Sequence, residues 1–298
     1  MGIFVEVVLP VLAVFLAGFV IQKRARLDIR SVSTVGMYIM LPCLVFETFY
    51  NAELNRDYIM MLVFSLLLLF IILIMNKIYA WMKGYGASTE SALILSTAFM
   101  NSGNYGSPII LFAFGEQGFI YAISLMVMQA IIMNFFGVYY AAKGTAGLKM
   151  AFLSVLKMPP TYAVLIAMIM KFTGMSIGGN VMGTIELVAA ATVPTIMVVL
   201  GMQLAEISVK SLEWTKISYA ATVRLVASPL IAFMLVLLLP MSNLMASVLV
   251  VQAAMPSAAT TTIYAVQFDS RPELVSGITL VTTLFSIVTI PLLLMVYI

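Results

Sequence analysis

Long apolar runs recur along the whole chain, separated by short polar stretches. Ten such runs can be read, at 3–21, 32–50, 58–79, 91–114, 119–140, 159–175, 185–205, 214–241, 244–267 and 273–298. Most approach the about 20 residues that a helix needs to cross the hydrocarbon core of a bilayer. The sixth is the weakest, because Lys157 and Lys171 bracket a short core. Long lysine stems reach an interface from such positions. The stretch 147–157 also reads as an interfacial helix leading into the sixth run. The expected fold class is an all-α polytopic membrane protein with ten transmembrane helices.

Charge orients this bundle. Loops after odd-numbered runs carry twelve Lys and Arg residues, and loops after even-numbered runs carry only Arg56 and Lys171. Arg224 lies within the eighth run. The positive-inside tendency places both termini outside a cell membrane crossed many times. The first run lacks a basic leader, since Lys23, Arg24 and Arg26 follow it. It therefore reads as a first transmembrane helix. Basic residues confined to short loops do not suggest nucleic-acid binding.

Composition narrows the chemistry. Hydrophobic residues make up 63% of the chain and charged residues 9%, too little charge to cover a soluble domain of 298 residues. With no histidine and Cys43 as the single cysteine, His-based zinc sites, Ser-His-Asp catalysis and thiolate clusters are excluded. No P-loop is present. The chain reads as no enzyme, without cofactor or metal.

Prolines suggest an internal repeat. Pro10, Pro42 and Pro108 are offset from Pro160, Pro194 and Pro256 by 150, 152 and 148 positions, half the chain length. Five helices per half is an odd number, so the second half (146–298) enters the membrane inverted relative to the first (1–145). Inverted repeats mark many secondary transporters.

The fourth and ninth runs hold the candidate site. Residues 101–108 are rich in Asn, Ser, Gly and Pro in the middle of an apolar segment, about 15 Å deep at 1.5 Å per residue. Pro108 should leave the carbonyl of Asn104 unpaired, and Gly103 and Gly106 permit unwinding. Asn101, Asn104 and Pro108 should share a helix face. In the ninth run Pro256 should free the carbonyl of Gln252 in the same way, so that two broken helices cross at Pro108 and Pro256. Half-helix N-termini attract an anion, and freed carbonyls suit a cation. The expected substrate-binding residues are Asn101, Ser102, Gly103, Asn104, Pro108, Gln129, Gln252, Pro256, Ser257 and Thr260. A coupling ion, H⁺ or Na⁺, would use Glu47, Asn104 or Gln252.

Several polar residues have two readings. Gln129 either lines the site or bonds a neighbouring helix, and Gln203 lies near the inner end of its run. Glu47 either carries a proton or snorkels; Glu6 and Glu186 read as interfacial. Arg224, about 12 Å in from Lys216, either neutralises an anion in transit or is paired structurally.

These motifs resemble the auxin efflux carrier family, in its bacterial form, within the wider bile acid–sodium symporter fold. The resemblance covers nearly the whole chain and is most specific over Asn101 to Pro108. Met255-Pro256 with Phe268 to Ser276, Met40-Leu41-Pro42, and Leu200 to Leu204 also carry it. It implies a five-plus-five repeat with the fourth and ninth helices crossing, and Asn101, Pro108 and Pro256 at the substrate site. It implies a scaffold half and a transport half that move against each other, and allows a homodimer. It implies carboxylate substrates, such as auxin in plants and malate or malonate in bacteria. The sequence thus points to a secondary active transporter of a small organic anion working by alternating access. The alternative is a sensor or channel of the same fold without coupled transport.

Overall fold

The computed structural model describes residues 4–52, 56–141, 156–206 and 213–297, together with Gly2 and Leu153. Among these residues the chain is helical throughout, apart from turns and one isolated bridge. Seven helices are long and apolar enough to cross a membrane. In chain order the helices are α1 (Val5–Ala25), α2 (Ile29–Asn51), α3 (Arg56–Lys83), α4 (Ala87–Ala98), α5 (Ser102–Ala141), α6 (Pro159–Thr173), α7 (Gly179–Glu206), α8 (Trp214–Leu238), α9 (Asn243–Ala253), α10 (Thr260–Gln267) and α11 (Pro272–Tyr297). Of the interfacial helix expected at 147–157, only Leu153, Leu156 and Lys157 lie within the described residues.

Local chemistry sets the helix ends. Asp28 caps α2, accepting the Arg30 N–H at 3.1 Å. The Ser31 hydroxyl and that amide hold the Asp28 carboxyl below its usual range. Gly174 closes α6 at φ 71°, a left-handed cap that glycine adopts without penalty.

At 40 residues, α5 would be about 60 Å long if straight, twice the thickness of a bilayer core. It folds back on itself at Gly115, whose φ of 65° and ψ of −165° break the helix. Met126, eleven residues beyond the bend, returns to Gly103, twelve before it. A Cβ on Gly103 would sit 2.9 Å from the Met126 sulfur. Thus α5 is two antiparallel limbs.

Pro108 does not break its rod as the sequence suggested, whereas Pro256 does lie in the interruption after Ala253. Pro10, Pro42, Pro108 and Pro229 each follow a wide π-turn, at Phe4–Val8, Gly36–Met40, Ser102–Gly106 and Val223–Ala227. Proline lacks an N–H, and its ring crowds the carbonyl four residues back. A turn that carries one extra residue shifts the bonding to i−5 and relieves that clash. The Leu41 N–H reaches the Gly36 carbonyl, and the Ser228 N–H the Val223 carbonyl, in this register. Pro160 instead starts α6, so its environment differs from that of Pro10.

Two groups of helices result. In the first, α1 packs along α7, and α2 packs on α6 and α7. In the second, α5 and α8 pack on α9, α3 on α4 and α8, and α11 on α4, α8 and α10. The groups meet where α2 and α7 lie on α5, with α7 against the Ser102–Gly106 turn. Within the first group, α1 and α7 cross with Gly18 against the Val198 carbonyl and Gly201 against the Phe15 carbonyl. An added Cβ at either position would lie well inside van der Waals contact with that backbone. Small residues permit this approach in lipid, where burial alone does not drive helices together.

Gly201→Val should therefore separate α1 from α7 and lower stability by about 1–3 kcal/mol, the usual cost of overpacking. Thermal melting of detergent-purified protein reads this directly; an unchanged melting temperature would contradict the crossing.

Candidate functional site

The site begins with two interrupted helices. α4 ends at Ala98, and Phe99 follows in extended conformation (φ −115°, ψ 114°). α9 ends at Ala253, and residues 254–259 separate it from α10. The two breaks pair with each other. Met100 and Ser257 form an antiparallel bridge. The Asn101 N–H donates to the Pro256 carbonyl at 2.8 Å, and the Ala258 N–H donates to the Phe99 carbonyl at 3.0 Å. Each break thus supplies the hydrogen bonds that the other has lost from its helix, as water-poor surroundings require.

The crossing point lies at Met100 and Ser257, so Pro256 stands at it as expected, while the partner in the fourth run is Met100–Asn101 and not Pro108. Pro108 sits in the first α-helical turn of α5, after its π-turn. Asn101 is outside that helix, with φ −78° and ψ 63°, so it does not share a regular face with Asn104 and Pro108. The Gln252 carbonyl is not freed by Pro256, because it accepts the Met255 N–H at 3.1 Å.

Four half-helix ends converge here. Those of α4 and α9 are C-terminal and negative; those of α5 and α10 are N-terminal and positive. The negative ends are capped by Arg224. This side chain is fully buried, and its Nη1 donates to the Thr97 carbonyl at 2.7 Å. Its Nη2 donates to the Ser228 hydroxyl at 2.6 Å and to the Ala253 carbonyl. The positive ends differ: in α10 the Thr261 and Thr262 N–H groups donate to the Ala258 and Ala259 carbonyls at 3.1 and 3.2 Å, whereas α5 begins with amides that make no such bond. The first paired amide of α5 is that of Gly106, which donates to the Asn101 carbonyl at 2.9 Å. The amides of Ser102, Gly103, Asn104 and Tyr105 precede it.

Around these ends lie most of the expected residues. Asn101 is 6% exposed, and its Nδ2 has no partner. Gln252 is fully buried; its Nε2 donates to the Ser102 carbonyl at 3.4 Å, and its Oε1 has no partner. Gly106 leaves the space that the Gln252 carboxamide fills. Gly103 and Asn104 are half-buried at the start of α5, and Thr260 is half-buried at the start of α10. Ser257 is held by α11, its N–H donating to Thr282 Oγ1 at 3.2 Å and its hydroxyl accepting from Thr279 at 3.3 Å. Gln129 is buried on the second limb of α5, three residues beyond Met126.

Glu47 is elsewhere. It is half-buried on α2, under the electrostatic influence of Glu186 and Glu116. Glu116 adjoins the Gly115 bend, 15 positions beyond Asn101 and about 20 Å along the first limb. The carboxylate therefore stands apart from the crossing. Sequence reasoning missed what Arg224 binds, and also the Asn76 carboxamide that donates to Thr97 Oγ1 at 2.8 Å. It also missed Tyr105, fully buried, which accepts from Ser286 at 3.0 Å and packs on Phe15 at 5.2 Å between ring centroids.

A family described as membrane transport protein matches this chain twice, over residues 3–146 and 145–294. An uncharacterized transporter of Methanothermobacter thermautotrophicus is 28% identical over 300 residues, covering 96% of each chain. A second, of Methanocaldococcus jannaschii, is 27% identical over 302 residues, again covering 96% of each.

A methyl group at Gly106 would overlap the Gln252 carboxamide and force it off the Ser102 carbonyl. Gly106→Ala and Gln252→Ala should therefore be non-additive by about 0.5–3 kcal/mol, as contacting residues are. A double-mutant cycle on thermal stability measures the coupling, and simple additivity would refute the contact.

Proposed function

The chain belongs to the membrane transport protein family, that of the auxin efflux carriers, and from that premise we propose that it is a secondary permease of a small organic anion. The substrate is a carboxylate of the malate class, carried by alternating access. One observation carries this assignment. At the crossing, the two negative half-helix ends are covered by a buried cation, while the buried Asn101 Nδ2 has no partner and the α5 amides ahead of Gly106 are not taken up by the helix. Such a site presents donors and positive poles to whatever enters, which selects an anion.

On the same premise we propose the topology. The chain crosses the membrane ten times in two inverted halves, 1–145 and 146–298, with both termini outside. α4 with the first limb of α5 makes the fourth pass, the second limb the fifth, and α9 with α10 the ninth. The reversal at Gly115 and the two family matches meeting at residues 145–146 support this count. The group of α1, α2, α6 and α7 is the scaffold. The other group carries Asn101, Ser102, Gly103, Asn104, Gln129, Gln252 and Thr260 past it, because the Ser102–Gly106 turn lies against α7. The proton is the coupling ion, and Glu47 its carrier, close to two further carboxylates.

Liposomes containing the purified protein should take up labelled dicarboxylate saturably. Saturable binding without flux would favour the sensor. Asn101→Ala keeps both backbone hydrogen bonds of residue 101 and removes only the unpartnered carboxamide. It should melt at the same temperature or higher, since an unsatisfied buried donor costs about 1–3 kcal/mol, yet lose uptake. Wild-type uptake in that variant would overturn the site.

Glu47→Gln should take up dicarboxylate without responding to an imposed pH gradient. A full response would remove Glu47 as the proton carrier.

A further inference from the structure

We infer that Arg224 is a resident cation filling the cation position of the crossing, so that anion binding there needs no sodium. The inference rests on the crossing being the anion site. Its physical basis is the pairing of one side chain with two helix ends. Each C-terminal pole carries about half a negative charge, so those of α4 and α9 together match one positive charge. In transporters built on broken helices, such carbonyls are where a coupling cation is held. Here the Thr97 and Ala253 carbonyls are already bound by one guanidinium, through Nη1 and Nη2 respectively.

The surroundings of Arg224 leave these poles as its counter-charge. The side chain is fully buried, and among the described residues the ion pairs are those of Glu213 with Lys216 and Arg271. A buried cation without compensation is strongly unfavourable. Ser228, four residues on, accepts from Nη2 and donates to the Ala253 carbonyl at 2.8 Å, which fixes the fork. The π-turn Val223–Ala227 holds Arg224 itself, and Pro229 follows it. A planar guanidinium can reach two carbonyls that a point-like ammonium cannot bridge in the same way. With both negative poles neutralised by a tethered charge, the N-terminal pole of α5 dominates the field at Asn101. Arg224 is thus a positioning residue that sets the charge preference of the site.

The test begins without any carboxylate, so it stands or fails separately from the transport reading. Wild-type protein, Arg224→Gln and Arg224→Lys are melted in millimolar sodium, guanidinium or choline chloride at matched ionic strength. Wild type should not distinguish the salts, because its guanidinium already holds both carbonyls; Arg224→Lys, which keeps the charge without the fork, should distinguish them less than Arg224→Gln does. Arg224→Gln should be stabilised by guanidinium or sodium relative to choline. If Arg224→Gln does not survive extraction, guanidinium during extraction should recover it. Equal recovery in choline, or recovery in neither salt, counts against the inference. A wild-type protein stabilised selectively by sodium, or an Arg224→Gln indifferent to all three salts, would overturn it. In the second arm, binding of a dicarboxylate to wild type should be equal in sodium and choline. Arg224→Gln should bind roughly tenfold more weakly in choline, with recovery in guanidinium. Sodium-dependent wild-type binding would again overturn the inference. Absence of any dicarboxylate binding, with the melting results as expected, would instead fault the substrate assignment.

Discussion

Backbone polar groups inside a bilayer must find their partners within the protein, and the whole arrangement follows from how two broken helices meet that demand. Neither break is self-sufficient. Asn101 needs the Pro256 carbonyl, and Ala258 needs the Phe99 carbonyl. The two breaks therefore hold each other in place, and neighbouring helices fix the remainder. α11 pins Ser257 through Thr279 and Thr282, and holds Tyr105 through Ser286.

Bringing four helix ends to one place creates a strong local field that must be balanced. Arg224 balances the negative half through direct hydrogen bonds, and among the described residues no charged side chain bonds the positive half in the same way. The result is asymmetric: one side of the crossing is closed and charge-compensated, while the other offers amides and an unpartnered carboxamide. The closed side belongs to the rigid packing of α4, α8 and α9. The open side lies on α5, against α7, at the boundary between the two helix groups. In the transport cycle we propose, a binding site at such a boundary would be exposed or covered as the groups shift, which would link the electrostatics to transport.

Much of this was legible in the sequence, for identifiable reasons. Seven of the ten apolar runs match single helices to within several residues, while the fourth, fifth and ninth are divided differently, and small polar residues from Asn101 to Pro108 marked the fourth run as irregular. The location of the break was misread, because proline was expected to interrupt the helix. The Ser102–Gly106 π-turn absorbs Pro108 instead, and the interruption falls upstream at Phe99–Asn101. Arg224 was visible as an intramembrane charge, but its carbonyl partners lie 127 and 29 residues away in the chain, beyond local pattern. Glu47 was read as a coupling-ion candidate or a snorkelling carboxylate, and no local pattern in the sequence showed that Glu186 and Glu116 act on it.

The central claim is that the open end of α5 beside Asn101 receives a carboxylate. A structure determined with a brominated dicarboxylate tests this most directly, since the anomalous bromine signal marks the ligand without ambiguity. The expected result is a single peak whose carboxylate lies within hydrogen-bond distance of Asn101 Nδ2 and the first amides of α5. A ligand bound away from residues 101–105, or breaks that run unpaired past each other, would contradict it.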